Sequence, residues 1–345
     1  MRGTRRDFLK AASLAALSSG LPNLASGAPS AASGAGKVKF CFFSDIHYLP
    51  GTWPHGREWL EKILDRAARE KADFVLHGGD FVHNAPKAMD YVKCYTGFRV
   101  KTYGCLGNHD GEYGGIAKTL EAYEMESGHY HFDRGGWRFI VANPHSFQRK
   151  TGEIVQHENF NMYRCKDVKF PYILPPWQLE WLKDLVDNSP YPCVYVSHES
   201  VERVWSTCNG PEVRKIFDDA NRAHPGRVRL VINGHHHVDY VRVIRDIVYF
   251  DVNSASYYYT AKAHGCYKEL EKTLHGAKQM LMWNDPLSAM ISLDAAKGTI
   301  HIEGSESTFH LGVTPEMAKI SLRDPHGRAI VPCIRGFDYT GSYAV

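Results

Sequence analysis

Five short polar segments constrain this chain more than any other feature of it. They are Ser44-Asp45-Ile46-His47, Gly78-Gly79-Asp80, Leu106-Gly107-Asn108-His109-Asp110, Val196-Ser197-His198-Glu199 and Asn233-Gly234-His235-His236-His237. Each closes a short run rich in Val, Ile, Phe or Tyr: Val38 to Phe43, Phe74 to Leu76, Val100 to Leu106, Val194 to Val196 and Val228 to Ile232. Runs of that length and composition read as strands, so the segments stand where a strand ends and a loop begins. α/β sheets place their ligands at such exits. Each segment also sets hard or borderline metal ligands beside a glycine or another small residue, as a backbone approaching a metal closely requires. Singly they are weak signals. Together they resist assignment to packing, because burying so many ionisable groups without a cation would cost several kcal/mol apiece.

The rest of the chain fits the same frame. Trp59 to Glu70 and Pro176 to Asn188 read as helices, the latter with Trp181, Leu182 and Leu185 on one face. Trp137 to Ala142 reads as a strand, Val241 to Ile244 and Ile247 to Val252 as a hairpin, and Ala289 to Ile302 as a last hairpin around Ala295-Ala296-Lys297-Gly298. Residues 261–283 are polar and compatible with helix. Strands alternating with helices in the first half suggest βαβ units and adjacent strands later suggest hairpin pairing, which gives a mixed β-sandwich flanked by helices. No internal repeat is present. The tail, residues 304–345, is scattered with Gly and Pro and reads as a lid, a small subdomain or a packing arm.

Composition narrows the function. In 345 residues, 41 basic against 38 acidic side chains leave a formal charge of +3 with no concentrated basic patch, so no stable nucleic-acid partner is expected. Histidine is abundant, at 19 residues, and imidazole is the commonest transition-metal ligand. Of the eight cysteines, Cys41, Cys105 and Cys193 lie in strand-like runs and read as small buried hydrophobes, whereas Cys94, Cys165, Cys208, Cys266 and Cys333 could pair. No Cys-x-x-Cys occurs, which removes support for a thiolate zinc site.

The N-terminus stands apart. Thr4-Arg5-Arg6-Asp7-Phe8-Leu9-Lys10, a mild apolar run from Ala11 to about Leu21 and small residues around Ala25-Ser26-Gly27-Ala28 resemble a twin-arginine export signal. The apolar run is about half of the roughly 20 residues that a spanning helix needs. The resemblance implies that residues 1–36 are a leader with a flexible lead-in, that the export machinery is a partner, and that the mature protein is periplasmic or extracellular. Such substrates cross folded, so a metal could be loaded beforehand.

Taken in order, Asp45-x-His47, Gly79-Asp80, Gly107-Asn108-His109-Asp110, His198 and Gly234-His235-x-His237 resemble the motifs of the calcineurin-like metallophosphoesterase superfamily, over roughly Val38 to Asn253. The resemblance implies a four-layer α/β/β/α sandwich of two mixed sheets flanked by helices, with residues 37–303 as the catalytic domain and 304–345 as an extension. It implies two divalent ions, Mn, Fe, Zn or Mg. Asp45, His47, Asp80 and His237 would hold the first, and Asp80 would bridge to a second held also by Asn108, His198 and His235. A metal-bridging hydroxide would attack a small-molecule phosphate ester in line. His109 would protonate the leaving alkoxide or stabilise the transition state, and Asp110 could orient its ring and raise its pKa. The other reading of His109 is a structural neighbour of the ligands.

His236 lies between two proposed ligands and should point the other way along an extended segment. His77 and His83 flank the Gly-Gly-Asp turn, where either could reach a substrate phosphate or simply hydrogen-bond within a loop. Tyr113, Tyr163, Trp205 and Tyr257-Tyr258-Tyr259 could line an aromatic pocket or be ordinary aromatics. His47 stands where a redox-active Fe–Tyr site would need a longer spacing ending in Tyr. The arginines that follow the second and third motifs in the family's protein phosphatases are absent, since Asp80 precedes Phe81-Val82-His83-Asn84 and Asp110 precedes Gly111-Glu112-Tyr113. That speaks against protein dephosphorylation and for a small-molecule or lipid ester; a phosphodiester is the first expectation with a phosphomonoester close behind, since the motifs resemble both branches alike. A non-catalytic binding protein and an amide-cleaving metallohydrolase are the rivals from other classes.

Overall fold

Side-chain alternation along the strands decides the layering. In Trp137–Val141, Phe139 and Val141 join one core while Ile140 joins another; Val194 and Val196 part from Tyr195, Leu230 and Ile232 from Val231, and Val248 and Phe250 from Tyr249 in the same way. Side chains along a strand point to opposite faces, so these strands form a sheet buried on both sides. The computed structural model describes residues 36–49, 56–157, 166–204, 206–274 and 276–342. Residues 1–35 of the expected leader, together with Tyr163, Cys165 and Trp205, lie outside the described residues.

Two six-stranded mixed sheets carry the fold. The first runs Phe337–Thr340, Thr299–Glu303, Ala289–Asp294, Lys37–Phe43, Phe74–His77, Lys101–Gly104 in spatial order, its last three strands parallel and the others antiparallel. The second runs Tyr240–Ile244, Ile247–Asp251, Val228–Asn233, Cys193–Val196, Trp137–Val141, Tyr130–Arg134, with four parallel strands inside and an antiparallel strand at each edge. The sheets meet through aromatic side chains: Phe139 of the second sets its ring edge-on to Phe40 and Phe74 of the first, centroids 5.3 and 5.1 Å apart.

Helices cover the outer faces. Gly56–Arg69 buries Trp59, Leu60, Ile63, Leu64 and Ala67, an apolar stripe at helical spacing, against the first sheet. Pro176–Asp187 and Gly210–Ala223 bury Leu182, Val186, Val213 and Phe217 against Tyr195, Val231 and Tyr249. The expected four-layer α/β/β/α arrangement is thus the observed one. Trp181 and Leu185 are only half-buried, and Gln178 takes the inward place because its amide exchanges two hydrogen bonds with the Asn143 backbone, 2.8 and 2.9 Å.

Two expectations need correction. Residues 261–283 do not form a helix: they hold single 3-10 turns at Leu270–Lys272 and Ala277–Gln279 and a strand at Met280–Met282. Gly265 and Gly276, at φ 64° and 89°, take the left-handed conformation that ends a helical run. Pairing among the irregularly placed cysteines does not occur within the described residues, where all seven cysteines are free. The tail contributes the edge strand Phe337–Thr340 to the first sheet, and Asp324 forms a buried ion pair with Arg203. No helix among the described residues is long and apolar enough to cross a membrane.

Candidate metal centre

The parallel strands of both sheets open toward one end, and every proposed ligand lies just past such a strand. The turn after Lys37–Phe43 runs beside the turn after Phe74–His77, with the Asp45, His47 and Tyr48 amides donating to the Gly79, Asp80 and Phe81 carbonyls at 3.0, 2.9 and 3.0 Å. Asp45, His47, Asp80, His235 and His237 all have positive φ, between 49° and 68°. That conformation costs a non-glycine residue roughly 1–2 kcal/mol. Five such residues at one place are strain concentrated at a functional site.

Glycine is required where the turns touch. A Cβ on Gly107 would lie 2.1 Å from the Asp80 nitrogen, and one on Gly234 would lie 2.0 Å from Ser44 Oγ and 2.4 Å from Asp45 Oδ2. These contacts bring the carboxylates and imidazoles together. His237 Nε2 lies 3.1 Å from Asp45 Oδ1 and 3.1 Å from His47 Nε2, and His198 Nε2 lies 3.1 Å from Asp80 Oδ2 and 3.7 Å from Asp45 Oδ1. His235 Nδ1 is 2.9 Å from Asn108 Oδ1. The donor groups Asp45/His47/His237 and Asp45/Asp80/His198 each fall within the span of a single cation.

The second layer fixes which nitrogen faces inward. His198 Nδ1 donates to the Gly78 carbonyl at 2.7 Å and His237 Nδ1 to the Tyr257 carbonyl at 2.7 Å, so each imidazole turns an Nε2 lone pair to the centre. His198 Nε2 is buried without a well-aligned hydrogen bond, and although burial pushes this imidazole's pKa down, Asp80 and Asp45 together hold it well above the usual range, so a proton stands where a cation between those carboxylates would bind. Burial pushes His47 down to about 3 and His235 to about 4, keeping both neutral as ligation requires. Burial alone would push Asp45 and Asp80 up, but the surrounding histidines hold both carboxyls well below the usual range. Oxygen donors mixed with neutral imidazoles suit borderline divalent ions such as Mn, Fe or Zn. The residues present fit a metal pair.

His109 is brought to the same place, and its partner differs from the expected one. Its Nδ1 lies 2.9 Å from Glu112 Oε2, while its amide donates to Asp80 Oδ1 at 2.6 Å. Burial would lower its pKa, but Asp80 and Glu112 raise it. Asp110 does not orient the ring. Its carboxylate faces inward and accepts the amides of Asp80, Phe81, Val82 and Gly107 and the hydroxyl of Tyr123, so it joins the second and third motif loops. Burial and Asp80 push the Asp110 carboxyl up, against the pull of those donors.

The remaining candidates divide. His77 is buried under the loop, stacked on Phe81 with centroids 4.6 Å apart and its Nδ1 3.4 Å from the Gly79 amide that donates to it, and burial pushes it down to about 3; its contacts are within the loop. His83 lies at the centre, its Nε2 3.0 Å from His47 Nδ1 and its Nδ1 2.9 Å from Glu112 Oε2. The His236 ring lies against His326 of the tail, centroids 5.7 Å apart. Tyr257 sets its buried ring 5.1 Å from His47 and 4.9 Å from His237, whereas Tyr113 and Tyr259 are half-exposed. Sequence reasoning missed Glu112, although a Glu three residues after a His in a tight turn was a usable signal. It also passed over Glu199, fully buried and bonded to the buried His145 at 2.8 Å.

Comparison with known proteins places this geometry. The family model described as calcineurin-like phosphoesterase matches residues 38–239. No curated protein matches the sequence. Among solved structures, a dimetal phosphatase from Danio rerio aligns with a TM-score of 0.58 at 15% identity, over 88% of this chain and 99% of that one. GAP50, the anchor in the inner membrane complex of Plasmodium, aligns with a TM-score of 0.48 at 12% identity, over 89% of this chain and 90% of that one. At 15% identity the likeness to the Danio rerio phosphatase is one of fold.

Proposed function

The chain belongs to the calcineurin-like phosphoesterase family and is a metal-dependent phosphoester hydrolase; from that premise we propose that it cleaves a small-molecule phosphodiester at a dinuclear centre. The observation that carries the reading is the position of Asp80 between ligands of the two proposed ions, its Oδ2 3.6 Å from His47 Nε2 and 3.1 Å from His198 Nε2, within donor groups that also share Asp45. Asp45, His47, Asp80 and His237 would hold one ion, and Asp80, Asn108, His198 and His235 the other. Two divalent ions bound there would supply Lewis-acid polarisation of the phosphoryl oxygens and a hydroxide at neutral pH.

The chain's own residues do the rest. Neutral imidazoles and one amide keep the centre from becoming too negative to admit a phosphate. His109, held through Nδ1 by Glu112, presents Nε2 to the departing oxygen and hands it a proton. A phosphomonoester carries close to two negative charges at neutral pH, which calls for cationic clamps. The second and third motifs are followed by no arginine, and a singly charged diester needs none. Phosphomonoester hydrolysis is the second reading. Residues 1–36 are proposed as a twin-arginine leader that delivers the folded domain out of the cytoplasm; an Arg5→Lys, Arg6→Lys double variant should stay in the cytoplasm, and unchanged export would reject the leader.

The deciding experiment compares bis(p-nitrophenyl) phosphate with p-nitrophenyl phosphate on leaderless protein reconstituted with Mn, beside Asp80→Asn. Faster diester cleavage, lost in the variant, is expected. Faster monoester cleavage would make the protein a phosphatase, and turnover of neither would favour a binding protein.

A further inference from the structure

We propose that Glu112 and His83 form a positioning unit in which one carboxylate oxygen fixes the proton positions of both the leaving-group acid, His109, and the ligand His47. The proposal rests on the phosphoester-hydrolase reading above and adds residues that the metal site itself does not call for. Oε2 of Glu112 lies 2.9 Å from Nδ1 of His83 and 2.9 Å from Nδ1 of His109. An ionised carboxylate only accepts, so both imidazoles carry a proton on Nδ1. His83 in its neutral form then has its lone pair on Nε2. That atom lies 3.0 Å from His47 Nδ1, which must be the donor of the pair.

The consequence falls on the metal ligand. With its proton on Nδ1, His47 turns the Nε2 lone pair toward the cluster, 3.1 Å from His237 Nε2, 3.6 Å from Asp80 Oδ2 and 3.7 Å from Asp45 Oδ1. Reversed polarity in the His83 pair would place the proton on His47 Nε2 and abolish ligation. His198 and His237 obtain the same orientation from backbone carbonyls. For His47 the fixed acceptor is a side chain, itself fixed by Glu112.

Main-chain bonds stitch the three rings into place. The His83 amide donates to the Tyr48 carbonyl at 3.0 Å, the Tyr113 amide to the His83 carbonyl at 3.1 Å, and the Glu112 amide to the His109 carbonyl at 3.1 Å. The ring centroids form a triangle, 5.2 Å from His47 to His83, 4.9 Å from His83 to His109 and 5.2 Å from His47 to His109. The Glu112 and His83 side chains keep 31% and 17% of their exposure, so neither serves as core packing. They link the acid to the ligand set.

The test uses Glu112→Ala, Glu112→Gln, His83→Ala and His83→Gln in the leaderless protein, with thermal melts to check folding. Turnover is measured on two methyl phosphodiesters that differ only in the departing group, p-nitrophenolate or an alkoxide. Only the alkoxide needs a proton to leave. Glu112→Ala should lose about 10- to 100-fold in kcat on the alkyl ester and less than about threefold on the aryl ester, a part of the roughly 100- to 10,000-fold that a well-placed general acid contributes. Glu112→Gln, which keeps an acceptor oxygen, should fall between, and it carries the test if Glu112→Ala does not fold. Independently of activity, calorimetric Mn titration should show about 10- to 100-fold weaker binding for His83→Ala, partly restored in His83→Gln. Equal slowing on both esters, or unchanged Mn affinity in His83→Ala, would overturn the proposal. Wild-type protein that turns over neither ester would instead overturn the hydrolase reading, while the Mn titration would still decide whether His83 orients His47.

Discussion

Replacing Asp110 with Asn tests whether this residue holds the site together or acts on His109. Oδ1 accepts the amides of Phe81 and Val82 at 2.9 and 3.0 Å and the Tyr123 hydroxyl at 2.7 Å, while Oδ2 accepts the amides of Asp80 and Gly107 at 2.9 and 2.6 Å. An asparagine has one oxygen and one NH2 group. If the oxygen takes the Oδ1 place, two buried amides face a donor and lose their acceptor. At about 1–3 kcal/mol for each buried donor left unpaired, the loss is roughly 2–6 kcal/mol. Against a whole-domain stability of about 5–15 kcal/mol, such a loss is large. Urea unfolding of the metal-free protein should show the midpoint fall at unchanged slope. A loss below about 0.5 kcal/mol with a large fall in turnover would refute the argument and return Asp110 to the role of orienting His109.

Gly107→Ala would drive a methyl group to 2.1 Å from the Asp80 nitrogen and should lower Mn affinity at least tenfold, whereas Gly336→Ala, with its nearest atom at 3.4 Å, should bind Mn like wild type; calorimetry reads both. Asp324→Ala leaves the buried Arg203 without its close carboxylate and should cost about 3–5 kcal/mol in urea unfolding, and a loss under 1 kcal/mol would show the pair to be dispensable. Burial pushes the Asp251 carboxyl up to about 7, partly offset by Arg203. The folded protein then holds this proton more tightly than the unfolded chain, so stability falls as pH rises from about 4 to about 7. A rise from 3.8 to about 7, at about 1.4 kcal/mol per pH unit, gives on the order of 4 kcal/mol. Asp251→Asn should flatten that slope, and an unchanged stability profile between pH 4 and pH 8 would contradict it.

The strands and their exits were legible because each motif joins an apolar run to a glycine-bearing turn, and both sheets place those exits at the same end. What stayed hidden depends on contacts between distant turns. Asp110 looked like the partner of His109 because it is adjacent in sequence, yet adjacency across a tight turn sends the two side chains opposite ways. The 109–112 turn instead carries Glu112 back onto the ring. His83 could not be placed without knowing that the 80–83 and 109–113 loops lie together. The stretch 261–283 misled because its polar composition tolerates helix, while Gly265 and Gly276 impose a left-handed backbone. The tail offered no motif, and its place in the first sheet rests on strand pairing with Thr299–Glu303.

The central claim, a dinuclear site joined at Asp80, is tested most directly by counting metal. Elemental analysis of leaderless protein reconstituted with Mn and freed of excess should give two ions per chain alongside diester turnover, and Asp80→Asn should retain one or none with turnover abolished. A wild-type content of one or none, or an Asp80→Asn protein that keeps both ions and full activity, would contradict the account.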